Sequence, residues 1–210
     1  ISVLCLPALS HALLPGALAR LHATHGPVAV SVVTQEGPLL AQWMTAQRFD
    51  LGLGEVAQAP PGTKAMALPV LQEVAVLPAR HALAAKAVLL AEEFAGESFI
   101  SLAPEDPYRQ QIDAVFAQAG VQRQLVLETH SAVSVCAMVQ KGLGVAIVNP
   151  LTANACLSPD MVVRQLSFSI AFQVHALLPL HRPAKEVVQC LIEALEEEVS
   201  AGLVLEPRLV

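Results

Sequence analysis

Apolar positions along this chain recur at two spacings, one of strands and one of helices. Residues 2–6 (SVLCL), 26–34 (GPVAVSVVT) and 49–54 (FDLGLG) are aliphatic and β-branched runs that read as strands. Between them, Leu14, Leu18 and Leu21 mark one face of a helix over about residues 10–23, and Leu39, Leu40, Trp43 and Met44 repeat at helical spacing. Three strands alternating with two helices through short connections predict a βαβαβ unit, hence a parallel sheet covered by helices. A Pro/Gly loop follows at residues 58–64 (QAPPGTK). Residues 66–78 (MALPVLQEVAVLP) then form an apolar ribbon too long for one ordinary strand and interrupted by Pro69, which predicts a strand leaving a first sheet for a second.

The alternation resumes with strands at 98–102, 124–128 and 145–149. A helix over 106–118 carries Ile112, Val115, Phe116 and Ala119 on one face, and another helix separates the last two strands. A second ribbon at 168–181 matches the first, and the terminal segment sets Val188, Leu191, Leu195 and Val199 as a buried stripe against the wet face of Glu196 to Glu198. Two ribbons between two similar lobes imply an outward and a return crossing, and so a hinge and a cleft. The expected architecture is α/β and two-lobed, with lobe I built from residues 1–72 and 175–210 and lobe II from 73–174.

Composition narrows the functional classes. Hydrophobic residues are 54% and charged ones 14%, yet no run approaches the roughly 18 apolar residues of a membrane-spanning helix. The formal net charge is −6 and no Lys/Arg run is interleaved with aromatics, the opposite of what nucleic-acid contact by this segment would need. Cys5, Cys136, Cys156 and Cys190 lack CxxC or Cys/His spacing and suit free buried thiols in a reducing cytosol. The seven histidines show no metal-ligand spacing, so neither a metal nor another cofactor is expected. The chain begins at Ile1 with neither an initiator nor a signal peptide, which suggests a fragment of a longer protein.

The chemistry concentrates in residues 128–150, ETHSAVSVCAMVQKGLGVAIVNP. Gly142 and Gly144 follow a helix and precede a strand, the reverse of a phosphate loop, and Gly142 reads better as a left-handed helix cap. Ser131 beside His130 suggests catalysis only by adjacency, with no GxSxG and no assignable acid, so enzymatic chemistry is not expected. The third reading is an anion seat: Thr129, His130 and Ser131 lie where a strand gives way to a helix, with unpaired N–H groups and hydroxyls at the strand's C-terminal edge. Thr129 or Ser131 as a plain helix cap is the alternative.

Similar junctions offer Ser10, a cap or a carboxylate donor, and Gln35 with Glu36, where the carboxylate either complements the helix dipole or accepts an ammonium. Glu55 is a further acceptor. Ser101, Tyr108 and Arg109 follow the strand at 98–102; Arg109 offers a planar fork for a carboxylate, or else pairs on the surface with Asp106 or Asp113. Asn149 either contacts ligand, ties the crossings together or forms a turn before Pro150.

Three segments carry a family resemblance: VTQEGPLLAQWMTAQRFDLGL, ESFISLAPEDPYRQQID and LETHSAVSVCAMVQKGLGVAIVNPLTA. Across essentially the whole chain the sequence resembles the effector-binding domain of LysR-type transcriptional regulators, especially members governing lysine synthesis. The resemblance implies a type 2 periplasmic-binding-protein fold and no catalysis. It also implies a cytoplasmic homodimer or homotetramer that reaches promoter DNA through a winged helix-turn-helix domain preceding Ile1. The implied effector is meso-diaminopimelate, with lysine opposing it, held by Ser10, Gln35, Glu36, Ser101, Tyr108, Arg109, Thr129, His130, Ser131 and Asn149. A transporter's solute-binding protein shares this fold and would carry an export signal upstream.

Overall fold

A computed structural model describes residues 1–56, 58–183 and 185–202. Ala57, Ala184 and residues 203–210, all of the expected lobe I, lie outside the described residues. Backbone contacts group the chain into two units, one of Ile1–Val70 with the segment from Gln173 onward, the other Leu71–Phe172.

In chain order the first unit opens with β1 (Ser2–Cys5), α1 (Pro7–Ala12), α2 (Leu14–His25), β2 (Ser31–Thr34), α3 (Gly37–Thr45), β3 (Leu51–Gly54) and β4 (Thr63–Ala67). The second unit holds β5 (Leu71–Gln72), β6 (Val74–Pro78), β7 (Val88–Leu89), β8 (Ser98–Leu102), α4 (Pro107–Gln118), β9 (Gln124–Thr129), α5 (Ala132–Gln140), β10 (Ala146–Val148), α6 (Pro150–Ala155), β11 (Met161–Leu166) and β12 (Ala171–Phe172). The chain returns to the first unit with β13 (His175–Pro179) and α7 (Glu186–Gly202).

The first sheet has the order β2-β1-β3-β13-β4. Its β1 runs parallel to both β2 and β3, as the βαβαβ pattern predicts, while β13 is antiparallel to β3 and β4. Leu4, Leu40, Met44, Phe49 and Leu177 close the core on one face, and Trp43 stacks on Phe49 at 6.2 Å. The stripe expected on α7 is buried, Val188, Leu191, Leu195 and Val199 each being no more than 1% exposed. On the other face of α7, Glu197 and Glu198 pair with Arg20 of α2.

Two boundaries in this unit differ from the sequence reading. The helix placed at 10–23 is two helices meeting at Leu13, because Pro15 has no N–H to give the preceding turn and instead starts α2. The strand placed at 26–34 is regular only from Ser31, because β1 begins at Ser2 in register with it and earlier residues have no partner strand.

In the second unit β8 and β9 are parallel, and β10-β6-β11-β7 form a four-stranded sheet. A parallel bridge between Phe99 and Val145 joins the two, with Ile100 N–H donating to Val145 O at 2.9 Å and Val145 N–H to Ser98 O at 2.8 Å. The core beneath is aromatic: Phe94, Phe99 and Phe116 meet edge-on or tilted at 5.4 to 6.1 Å.

The ribbon at 66–78 divides among β4, β5 and β6, and that at 168–181 among β12 and β13; short β5 and β12 pair with each other. Sequence reasoning passed over β7, α6 and β11, so this unit is more than a second βαβαβ motif. Two of these are hard to see from pattern alone: β7 is two residues long, and α6 is a six-residue helix hidden behind an apparent turn. Gly142, at φ +75°, donates to Val139 O and Leu143 N–H reaches Met138 O, a left-handed cap that terminates α5 and feeds β10.

Candidate functional site

The candidate edge of the second unit is where β8 and β9 end and α4 and α5 begin. Asp106 opens α4, its Oδ1 accepting from the N–H groups of Tyr108 (2.8 Å) and Arg109 (3.1 Å), with Pro107 next in line. That cap aims Arg109 back at the sheet. The Arg109 side chain is buried and engaged through two of its nitrogens: Nε with both Asp113 carboxylate oxygens (2.8 and 2.9 Å), and Nη1 with Ser101 Oγ (2.8 Å), Leu102 O (2.9 Å) and Glu128 Oε1 (2.8 Å). Burial opposes the Arg109 charge, but Glu128 and Asp113 outweigh it and hold its pKa above the ordinary guanidinium value.

Asp113 also pairs with Arg123, whose guanidinium lies 4.6 Å from the Phe99 ring centroid and 4.5 Å from that of Phe116. Burial draws the Arg123 pKa down, and Asp113 only partly restores it. The surface pair weighed for Arg109 is therefore part of a larger network in which the two guanidiniums are buried and the carboxylates of Asp113 and Glu128 are partly exposed. Glu128 and Arg123 complete it, and neither was among the sequence candidates. The available signals were the i, i+4 spacing of Arg109 and Asp113 and a lone carboxylate closing the apolar run QLVLE.

Thr129, His130 and Ser131 adjoin this network along the chain. Thr129 Oγ1 accepts from Ser131 N–H at 3.3 Å, and Ser131 Oγ accepts from Ser134 N–H at 3.2 Å, so Ser131 is the N-cap of α5. Both hydroxyls accept here and keep their own O–H to donate. His130 is exposed and stands 3.5 Å from Glu105. Tyr108 packs its ring on Phe172 at 5.4 Å.

Two candidates have different surroundings from those expected. Ser10 is not a cap: α1 begins three residues earlier, at Pro7, and the Ser10 hydroxyl donates to Pro7 O at 2.8 Å. Asn149 is 7% exposed and N-caps α6, its Oδ1 accepting from Thr152 N–H at 2.8 Å, so its side chain is committed locally. In the first unit, Gln35 donates its N–H to Cys5 O at 3.0 Å, placing it at the end of β1, and exposed Glu36 precedes α3 without a side-chain cap bond. Glu55 is half-buried just after β3.

A shallow recess in the first unit, lined by Asp50, Pro179, Arg182 and Lys185, lies at the opposite end of the sheet, before β3. Asp50 pairs there with Arg182 at 3.3 Å and Lys185 at 3.1 Å. Burial pushes its carboxyl up, but the Ser2 backbone N–H, Lys185 and the Ser2 hydroxyl outweigh it and hold the pKa at about 2. That recess is a structural clamp. Among the described residues no group of three or more His, Cys, Asp or Glu side chains could hold a metal, and no helix is long and apolar enough to cross a membrane.

Parallel strands ending beside helix starts, in two units crossed twice by the chain, define a ligand-binding module with a type 2 periplasmic-binding-protein-like fold. The chain belongs to the LysR substrate binding domain family, whose model matches residues 1–200. It is 45% identical, over all 210 residues, to the transcriptional activator protein LysR of Escherichia coli K12, covering 65% of that protein. The chain thus spans slightly under two thirds of the length of this relative.

Two solved structures share the fold. HinK, a LysR family transcriptional regulator from Pseudomonas aeruginosa, matches with a TM-score of 0.79 at 19% identity over 95% of this chain and 69% of its own. The BenM effector binding domain with its effector benzoate matches with a TM-score of 0.74 at 16% identity over 100% of this chain and 96% of its own. The family is one of regulators rather than enzymes.

Proposed function

We propose that this chain is the effector-sensing part of a cytoplasmic transcriptional regulator of lysine synthesis, and that its effector is meso-diaminopimelate with lysine as the opposing ligand. The 45% identity to LysR supports the regulatory role. In this reading promoter binding and assembly into dimers or tetramers belong to the whole protein, with DNA contacted by segments outside this chain. The effector acts through its different affinity for two states of the regulator, a coupling of about 1 to 3 kcal/mol in typical cases.

One observation carries the ligand reading. The first turn of α5 presents its N–H groups at a strand end, flanked by the Thr129 and Ser131 hydroxyls, and this arrangement suits a carboxylate. Diaminopimelate carries a carboxylate and an ammonium at each end, whereas lysine lacks the second carboxylate. Donors placed for that group are left unpaired by lysine, which separates the two ligands.

Thermal denaturation with diaminopimelate, lysine, arginine and pimelate tests the proposal. Diaminopimelate is expected to raise the midpoint, and a ligand at a hundred times its Kd adds about 2.7 kcal/mol. A midpoint unmoved by any amino acid sinks the reading.

Two substitutions at Ser131 separate capping from binding. Ser131→Ala is expected to cost about 1 kcal/mol through the lost cap. Ser131→Asp caps equally well and suits the helix dipole, so it keeps the stability while its charge repels an effector carboxylate. Retained diaminopimelate binding in Ser131→Asp, measured by calorimetry, would remove α5 from the site.

A further inference from the structure

The Arg109 network has a charge balance that constrains what binds beside it. Two guanidiniums, Arg109 and Arg123, face two carboxylates, Asp113 and Glu128, so the cluster is neutral as it stands. Arg109 is 5% exposed and four partners already occupy its Nε and Nη1. An incoming carboxylate that took the place of Glu128 or Asp113 would exchange one anion for another and leave a charge unmatched, and an Arg109 side chain only 6% exposed offers a ligand little surface to reach.

Asp113 and Glu128 are the accessible members of the cluster, each with its side chain 45% exposed against 6% for that of Arg109, but both Asp113 oxygens are already engaged by Arg109 and Arg123. Glu128 lies opposite Ser101 in the β8–β9 register, one residue before Thr129. Only Oε1 engages Arg109, and a carboxylate can accept about four hydrogen bonds, so Glu128 keeps acceptor capacity. The Arg109 contact also holds this carboxylate in one orientation, reducing the entropy a ligand must remove on binding.

Resting on the amino-acid reading above, we infer that Glu128 accepts the effector's ammonium group and that Arg109 is a positioning residue that holds Glu128 in place without touching the effector. The ligand class follows from the charges. A zwitterionic amino-acid head puts its carboxylate on the neutral donors of Thr129, Ser131 and the α5 first turn, and its ammonium on Glu128. Such a head adds equal positive and negative charge and leaves the cluster balanced, whereas a plain carboxylate or a plain amine does not.

The test is titration calorimetry with diaminopimelate on the wild-type chain and on E128Q, E128D, R109K and the double variants. Chemical denaturation accompanies each to show that the variant is folded. E128Q keeps an oxygen for Arg109 but loses the charge, and its diaminopimelate affinity should fall at least tenfold. E128D, which keeps the charge at shorter reach, should recover part of that loss.

R109K should weaken binding in the wild-type background and add little in the E128Q background, because it acts through Glu128. If E128Q binds too weakly to titrate, the same cycle is run on E128D. Wild-type affinity in E128Q, or equal loss in E128Q and E128D, overturns the role of Glu128 while the effector class stands. An R109K penalty undiminished in the Glu128 variant makes Arg109 a direct contact and overturns the positioning role. A wild-type chain that binds no amino acid overturns both this inference and the reading it rests on.

Discussion

Phe116→Ala is expected to destabilise the second unit by about 4 kcal/mol, within the usual range for deleting a buried phenylalanine. The ring is 2% exposed and touches Phe94 at 5.4 Å, Phe99 at 5.8 Å and Phe168 at 6.2 Å, centroid to centroid. Its removal leaves a cavity that three aromatic neighbours, each held from another element, cannot collapse to fill. The loss extends to Arg123, whose guanidinium lies over both Phe116 and Phe99 and would keep one aromatic face instead of two. Urea denaturation followed through Tyr108, the chain's one tyrosine, reads this unit directly. Phe116→Leu should cost markedly less, because most of the volume is retained. A loss below about 2 kcal/mol for the alanine variant would mean that the aromatic cluster repacks.

Gly144→Ala is expected to cost about 3 kcal/mol, the upper part of the range for overpacking. A Cβ there would sit 2.5 Å from Ser98 O and 3.1 Å from Ser98 C, both backbone atoms. Ser98 O cannot retreat without surrendering the 2.8 Å hydrogen bond from Val145 N–H, part of the bridge that joins β8 and β9 to the four-stranded sheet. The strand ends carrying Ser101, Glu128 and Thr129 depend on that junction, so effector affinity should fall along with stability. Gly142→Ala is the control. Nothing lies within 4 Å of its Cβ, and only its φ of +75° is at stake, a strain of about 1 kcal/mol. If Gly142→Ala proves the more damaging in urea titration, the close approach at Gly144 is being absorbed elsewhere.

The two glycines illustrate how far the sequence could be read. Their order, after a helix and before a strand, excludes a phosphate loop and identifies Gly142 as a cap from local geometry alone. Gly144 has no such local signature, since its need arises from a strand nearly fifty residues earlier in the chain. The α4 cap was similarly open to reading, because Asp106 followed by Pro107 is a helix start written in adjacent residues. Asn149 with Pro150 carries the same type of signal, and weighing it as a ligand contact, a tie between crossings or a turn, but not as a cap, hid α6.

Arg109 shows where such reading ends. Its fork, its helix and its i, i+4 partner are visible in sequence, yet whether it faces solvent or the interior depends on Ser101 and Glu128, which β8 and β9 bring to it. By itself the sequence determined the alternation of strands and helices, the parallel pairing of β1 with β2 and β3 and of β8 with β9, the buried stripe of α7 and the caps at Ser131 and Gly142, because periodicity and capping act within a few residues. Tertiary structure alone decided which polar groups meet across elements: Arg109 is matched by Glu128 and Ser101 as well as by Asp113 of its own helix. Desolvation and charge pairing depend on neighbours distant in sequence, and no local pattern records them.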